Sequence, residues 1–233
     1  MYMDELVFGE EIFTELINRD KRLDRVFSSV DTLTVPINSD GYLSLCNYII
    51  SQQVSIAAAK SIFSKFLSLH LGSSIVVDTW NQSIEGVEVD PGQTLNLGEE
   101  KLREAGLTRQ KTKYILGIAG SIDAGELDLI AIESKDDEEV RSELLKLKGV
   151  GNWTVDMYLL FTLGRIDVFP SVDLGIQKGM KLLYDIDKKE LGDKQYLEEV
   201  VKISDVWRPY RSVVTVHIWE WLQGFFSAIK SQK

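Results

Sequence analysis

The sequence predicts an all-α fold. Apolar residues recur with helical spacing through nearly the whole chain, strand-like alternation is almost absent, and cap or breaker residues fall at helix-length intervals. Along the chain, Ser39-Asp40-Gly41 opens a helical region in which Leu43, Ile49, Ile50, Val54, Ala57, Ala58, Ile62 and Phe66 share one spacing. Gly72-Ser73-Ser74 closes it. Asp90-Pro91-Gly92 marks the next helix start and Gly106 a further break. The acidic stretch Ser134 to Glu143 reads as a solvated helix start leading into Leu144, Leu145 and Leu147. Phe169-Pro170-Ser171 then precedes an apolar-periodic helix from Leu174 to Tyr184. About ten helices result.

Composition narrows the function classes. At 233 residues and 44% hydrophobic content the chain supports a real core, in one compact unit or two small lobes. No stretch approaches the roughly 18 apolar residues of a membrane span, so no membrane partner is expected. The N-terminus MYMDELVFGEEIFTEL carries acids where a secretory signal carries bases and a long apolar run. An intracellular location follows as the expectation, in cytoplasm and nucleoid or in a nucleus according to source. Cys46 is the single cysteine, which excludes an internal disulfide, a Cys-rich zinc site and a four-cysteine iron–sulfur cluster.

The net charge of −10 weighs against a nucleic-acid partner. Its distribution is uneven, however. Acids crowd into Asp4 to Glu15, Glu85 to Asp90 and Ser134 to Glu143, while Lys101, Arg103, Arg109, Lys111 and Lys113 cluster, as do Lys146 and Lys148. An acidic protein binds DNA through a local basic face and backbone amides, at the cost of long-range steering.

The informative stretch is SELLKLKGVGNWTVDMYLLFTLGRIDVFPSVDLGIQKGMKLL, residues 142–183. An amphipathic helix over Glu143 to Leu147 is broken by Gly149-Val150-Gly151, and a second helix runs from Asn152 to Leu163. Two glycines around one aliphatic residue permit a tight hairpin with N–H groups exposed at a helix N-terminus. The N–H groups of Gly149, Gly151 and Thr154 there suit a DNA phosphate. Read alone, the same tripeptide serves equally as a plain turn. Asp173 stands where an N-cap or first-turn acid stands, and capping alone accounts for it. A carboxylate at the positive end of a helix also suits electrostatic catalysis.

The hairpin LKGVGNWTVDM, the downstream DVFPSVDLG and the closing WRPYRSVVTVHIW resemble the signature of the helix-hairpin-helix DNA glycosylase superfamily. The likeness is closest to the alkylbase, or 3-methyladenine, DNA glycosylases II. Upstream, IISQQVSIAAAKSIFSKF resembles the family segment that inserts into the minor groove, and GLTRQKTKYILGIA its following helix pair. The likeness spans Leu43 to Trp221. It implies a two-lobed fold with DNA in the cleft between lobes: a central lobe of residues 41–165, and a second of residues 1–40 with 166–233. The chain starts close to the helical core, so the additional N-terminal β-domain of longer bacterial relatives is not expected.

Residue by residue, the resemblance makes Asp173 catalytic and places Trp153, Trp219 and Met157 at the base pocket, although tryptophans in these places also serve as ordinary core. Bifunctional members carry a lysine nucleophile just after the hairpin; here Trp153 stands there, which implies simple hydrolysis without strand cleavage. Gln52 and Gln53, side by side in an apolar helical region, read as the wedge that fills the vacated base stack, or as a helix surface pair. Carbonyls of Leu145, Leu147 and Val150 match the family's site for Na⁺ or K⁺, and the chemistry itself needs no cofactor. Ser171-Val172 differ from the Gly or Asp common before the aspartate.

The implied function is a monofunctional glycosylase of base excision repair, acting as a monomer on double-stranded DNA that carries alkylated purines such as 3-methyladenine. Cationic bases leave without a second acid, and indole faces attract them. A non-catalytic damage-binding homologue and a glycosylase for deaminated or mismatched bases are the alternatives.

Overall fold

The computed structural model describes residues 5–30, 34–77 and 87–231. The chain divides into two compact units, Pro36–Leu163 and a unit combining Glu5–Val35 with Gly164–Lys233. Among the described residues there are thirteen α-helices, two 3-10 turns and one two-stranded sheet. None of these helices is long and apolar enough to cross a membrane.

The chain opens with β1 (Glu5–Val7), α1 (Glu10–Arg19) and α2 (Asp24–Phe27), and β2 (Thr34–Pro36) pairs with β1. The mid-chain unit is built around α3 (Gly41–Ser51), which is buried without interruption from Tyr42 to Ile50. A helix apolar on every face has to lie inside. Asp40 caps it by accepting from the Leu43 N–H at 2.8 Å. Against it pack α4 (Ile56–Leu71), α6 (Arg109–Asp123), α7 (Leu129–Glu133) and α9 (Asn152–Phe161). The helix α5 (Pro91–Glu104) lies along α6, and α8 (Asp137–Leu144) along α9. The starts of α4 to α8 are set by side-chain caps: Ser55, Asp90, Thr108, Asp128 and Asp136, the last in a capping box with Glu139.

The second unit adds α10 (Leu174–Tyr184), α11 (Lys188–Leu191), α12 (Asp193–Ser204) and α13 (Arg211–Ser231). Asp20, at the end of α1, is buried and gathers the unit's two chain segments. It accepts from the Tyr184 hydroxyl at 2.7 Å, from the Trp207 indole at 3.2 Å and from the Arg22 N–H at 3.1 Å. Such a carboxylate is tolerated inside because its oxygens are satisfied. His217 on α13 sits between the edges of Phe13 and Phe27, with ring centroids about 5 Å apart.

Three expectations need correction. The helical region read across Leu43 to Phe66 is two helices, because Gln52 ends α3 and Ser55 caps α4, accepting from the Ala58 N–H at 3.2 Å. The helix count is higher than ten, since several segments are single turns whose boundaries lack a hydrophobic period of their own. The three-residue strands β1 and β2 are too short to show alternation. The acidic run from Glu85 begins outside the described residues.

Both histidines of the chain are buried, and burial lowers each below its usual 6.5. Their Nδ1 atoms donate to the carbonyls of Phe66 and Val213. The unfolded chain therefore binds more protons below pH 6.5, so this share of the stability is complete above that value and is lost as pH falls through it. The melting temperature is expected to drop between about pH 7 and about pH 5, and His217→Phe to make the drop shallower. A melting curve indifferent to pH in that window contradicts the assignment. In the hairpin, Arg141 of α8 pairs with the buried Asp156 of α9. Asp156→Ala leaves the guanidinium without its partner, and urea unfolding should show a loss of about 2 to 4 kcal/mol.

Candidate active site and nucleic-acid interface

The mid-chain unit supplies the hairpin. The helix α8 stops at Leu144, and turn bonds run from Leu147 N to Leu144 O and from Val150 N to Leu147 O, both at 3.1 Å. Gly149 has φ +90°, and a Cβ there would collide with the ring of Tyr114. Both facts demand glycine. Gly151 precedes α9 without any side-chain cap, and Gly151 and Asn152 are exposed. An uncapped, exposed helix start offers its first N–H groups to an anion. Thr154, by contrast, is only 1% exposed. The Leu147 carbonyl accepts the Val150 N–H and retains its second lone pair; it and the carbonyls of Leu145 and Val150 are the candidate oxygen ligands for a monovalent cation.

The wedge assignment is corrected for one of the two glutamines. Gln52 turns inward: its Nε2 donates to the Gly149 carbonyl at 2.9 Å and to the Thr154 hydroxyl at 3.0 Å. It braces the hairpin, whereas Gln53 is exposed at φ +55° and stays the candidate for the stack-filling role. A left-handed non-glycine residue is uncommon and is held here by its neighbours. Lys111 of α6 does the holding, with its amine donating to the carbonyls of Ile50 and Gln52, each at 2.8 Å. It caps the end of α3 and is half-buried, and burial lowers its pKa. Lys111 is therefore no part of an open basic face. Of its cluster, Lys101 pairs with Glu104 at 2.9 Å and Arg109 with Glu99 at 3.5 Å. Beyond Gln53 the turn exposes Val54 and Ile56, the latter 61% accessible.

The second unit supplies the aspartate. Asp173 is the N-cap of α10, and its Oδ1 accepts from the Ile176 N–H at 2.9 Å and from the Trp219 indole N–H at 2.9 Å. It is half-buried, and with burial its charge pushes the Tyr196 hydroxyl up to about 12. The loop before it is anchored by α13. The Ser212 hydroxyl donates to Arg165 O at 2.6 Å and accepts from the Val168 N–H at 2.9 Å, and the Thr215 hydroxyl donates to Val168 O at 3.2 Å. Arg211 and Arg208 both bind the Asp167 carboxylate, at 2.7 Å and 2.6 Å. Ser212, Thr215 and Trp219 recur at three- and four-residue spacing, so one face of α13 holds the loop at both ends.

Gly175 and Gly179 line the side of α10 that meets this helix. A Cβ on Gly175 would lie 2.8 Å from Trp219 Cδ1 and 3.0 Å from Asp173 Oδ1, and one on Gly179 would strike Ile218. The sequence reading missed these residues, although a glycine pair four apart inside an apolar helix is a visible sign of close helix approach. Trp153 and Trp219 are each partly exposed. Met157 is only 1% exposed and belongs to the interior, because α9 is buried from Thr154 to Phe161.

With this geometry in view, comparison with known proteins gives a consistent answer. The profile of the HhH-GPD superfamily base excision DNA repair proteins matches residues 46–206. A putative DNA-3-methyladenine glycosylase of Bacillus subtilis is 27% identical over 180 residues, covering 76% of this chain; the match spans 58% of that relative's length. An alkylbase DNA glycosidase-like protein of Schizosaccharomyces pombe is 29% identical over 215 residues, covering 86% of this chain and 92% of the relative. The structure of the Schizosaccharomyces pombe 3-methyladenine DNA glycosylase in complex with abasic DNA superposes with a TM-score of 0.72 at 25% identity, covering 90% and 95% of the two chains. Hairpin, anchored loop and capping aspartate in this order, within the matched residues, make the chain a member of the HhH-GPD superfamily of base excision DNA repair proteins.

Proposed function

We propose that this protein is a monofunctional DNA glycosylase that hydrolyses the N-glycosidic bond of alkylated purines such as 3-methyladenine. The observation that carries the reading is Asp173, a carboxylate on a helix N-terminus whose Oδ1 is fixed by two N–H donors. Relatives named for 3-methyladenine and alkylbase excision support the substrate class. Support for double-stranded DNA as partner comes from the abasic-DNA complex of a similar fold.

The mechanism follows from the chemistry of the bond. A stacked duplex hides C1′, so the nucleotide is flipped out at a cost of a few kcal/mol. Gln53, with Val54 and Ile56 beside it, fills the space left behind. Cleavage develops positive charge on the sugar, as in glycoside hydrolysis. Asp173 stabilises that charge and orients or deprotonates the attacking water. An N3- or N7-alkylated purine already carries a positive charge and leaves without protonation. The partly exposed indole of Trp219, on the same unit as Asp173, attracts such a base by about 0.5 to 2 kcal/mol, enough for preference among bases but not for narrow selection. Trp153 at the position after the hairpin supplies no amine, so no Schiff base forms and no strand is cut.

The exposed N–H groups of Gly151 and its neighbours hold a phosphate, and the carbonyls of Leu145, Leu147 and Val150 would hold a monovalent cation supplying positive charge for the same anion. If so, replacing K⁺ by a bulky organic cation at matched ionic strength weakens DNA binding; unchanged affinity removes the cation from the interface.

Asp173→Asn is the decisive variant. An amide oxygen still accepts from Ile176 and Trp219, so fold and DNA binding persist while single-turnover excision on a methylpurine duplex falls by several orders of magnitude. Wild-type excision by the mutant would remove Asp173 from the mechanism. Tight binding of damaged DNA without base release by the wild type would instead identify a binding-only homologue.

A further inference from the structure

We propose that Trp219 is a positioning residue as well as an aromatic wall: its indole N–H holds the Asp173 carboxylate in the orientation it uses, and Gly175 is the opening that lets it do so. The inference rests on the reading of Asp173 given above. It assigns a separate task to each part of one side chain, the N–H edge serving the carboxylate and the ring face serving the base.

Two independent observations support it. First, Asp173 Oδ1 needs only the Ile176 N–H to cap its helix, yet it accepts a second bond of equal length, 2.9 Å, from a side chain 46 residues away on α13. A cap ties the oxygen to its own helix alone. The second donor ties it to a neighbouring helix and fixes its place against that frame. Hydrogen bonds to a charged acceptor are the stronger kind, so this bond contributes to orientation more than a neutral one would. Second, Gly175 lies in the first turn of α10, where a Cβ would stand 2.8 Å and 2.9 Å from Trp219 Cδ1 and Nε1. Its φ lies outside the left-handed region, so the glycine answers a need for space and not for backbone freedom. Glycine inside a helix is otherwise disfavoured. The space it leaves is occupied by the donating edge of the indole. The same face of α13 holds the start of the loop through Ser212 and Thr215, so the contact at Trp219 completes an arrangement already in place.

Trp219→Phe separates the two tasks, because it keeps an aromatic face and removes the N–H. Single-turnover excision on a methylpurine duplex should fall about 10- to 100-fold while the Kd for the same duplex changes by about twofold or less. Gly175→Ala, which displaces the indole without altering it, should lower the rate in the same way. A spectroscopic readout does not depend on activity: of the indole N–H signals from the five tryptophans, the one deleted by Trp219→Phe should be the one shifted upfield by Asp173→Asn. Wild-type rates in Trp219→Phe and Gly175→Ala, with Asp173→Asn inactive, would overturn this inference and leave the function standing. Wild-type excision by Asp173→Asn would overturn both. An indole spectrum of Trp219 untouched by Asp173→Asn would overturn the inference even if a substituted protein folded poorly.

Discussion

The position of one carboxylate oxygen depends on how closely two helices approach. Asp173 Oδ1 is reached by Trp219 only because α10 presents Gly175 and Gly179 to α13, where the side chains of Trp219 and Ile218 occupy the space that two Cβ atoms would fill. Close packing of this sort is intolerant of even one added methyl group. The rest of the second unit is arranged to keep the approach: Asp20 draws α1, Tyr184 and Trp207 together, and Arg208 and Arg211 clamp Asp167 at the start of the loop. Each of these bonds joins residues far apart in sequence, so the site is assembled by tertiary contacts and not by any local segment.

The mid-chain unit reconciles an acidic protein with an anionic polymer. Its net charge of −10 opposes DNA at long range. Two of the clustered bases face acids, and Lys111 is committed to carbonyls at the end of α3. On the proposed function, the uncapped start of α9 serves the phosphate, its main-chain N–H groups acting without a formal charge. Gln52 connects this hairpin to the turn carrying Gln53, so the proposed phosphate grip and the proposed stack-filling residue share one brace. The buried pair of Arg141 and Asp156 locks the two hairpin helices behind it.

Much of this was legible in the sequence, and the parts that were not have a common cause. The hairpin was readable because Gly149 and Gly151 punctuate an otherwise apolar pattern, and Asp173 because a cap acid follows Pro170 at the head of a periodic helix. The fate of Gln52 was not, since adjacent identical side chains give no sign of which one turns inward; its partners, Gly149 and Thr154, lie 97 and 102 residues away. Met157 was misplaced for a related reason. Periodicity gives the apolar face of a helix, but α9 is buried on all faces from Thr154 onward and its period no longer distinguishes pocket from core. The contact of Trp219 with Asp173 spans 46 residues, and only the spacing of Ser212, Thr215 and Trp219 hinted at a shared face.

The loop between those anchors is held almost entirely by its main chain. Ser171 N bonds Phe169 O and Asp173 N bonds Pro170 O, both at 2.9 Å, and Gln177 reaches the carbonyl of Val172, whose own side chain points into solvent at 40% exposure. A turn built this way places few demands on the side chains at Ser171 and Val172, which are the residues that depart from the usual Gly or Asp. The identity of the loop and its shape are thus decoupled: mutations can accumulate in its middle while the aspartate keeps its station, until the motif fades from the letters and survives in the hydrogen bonds alone.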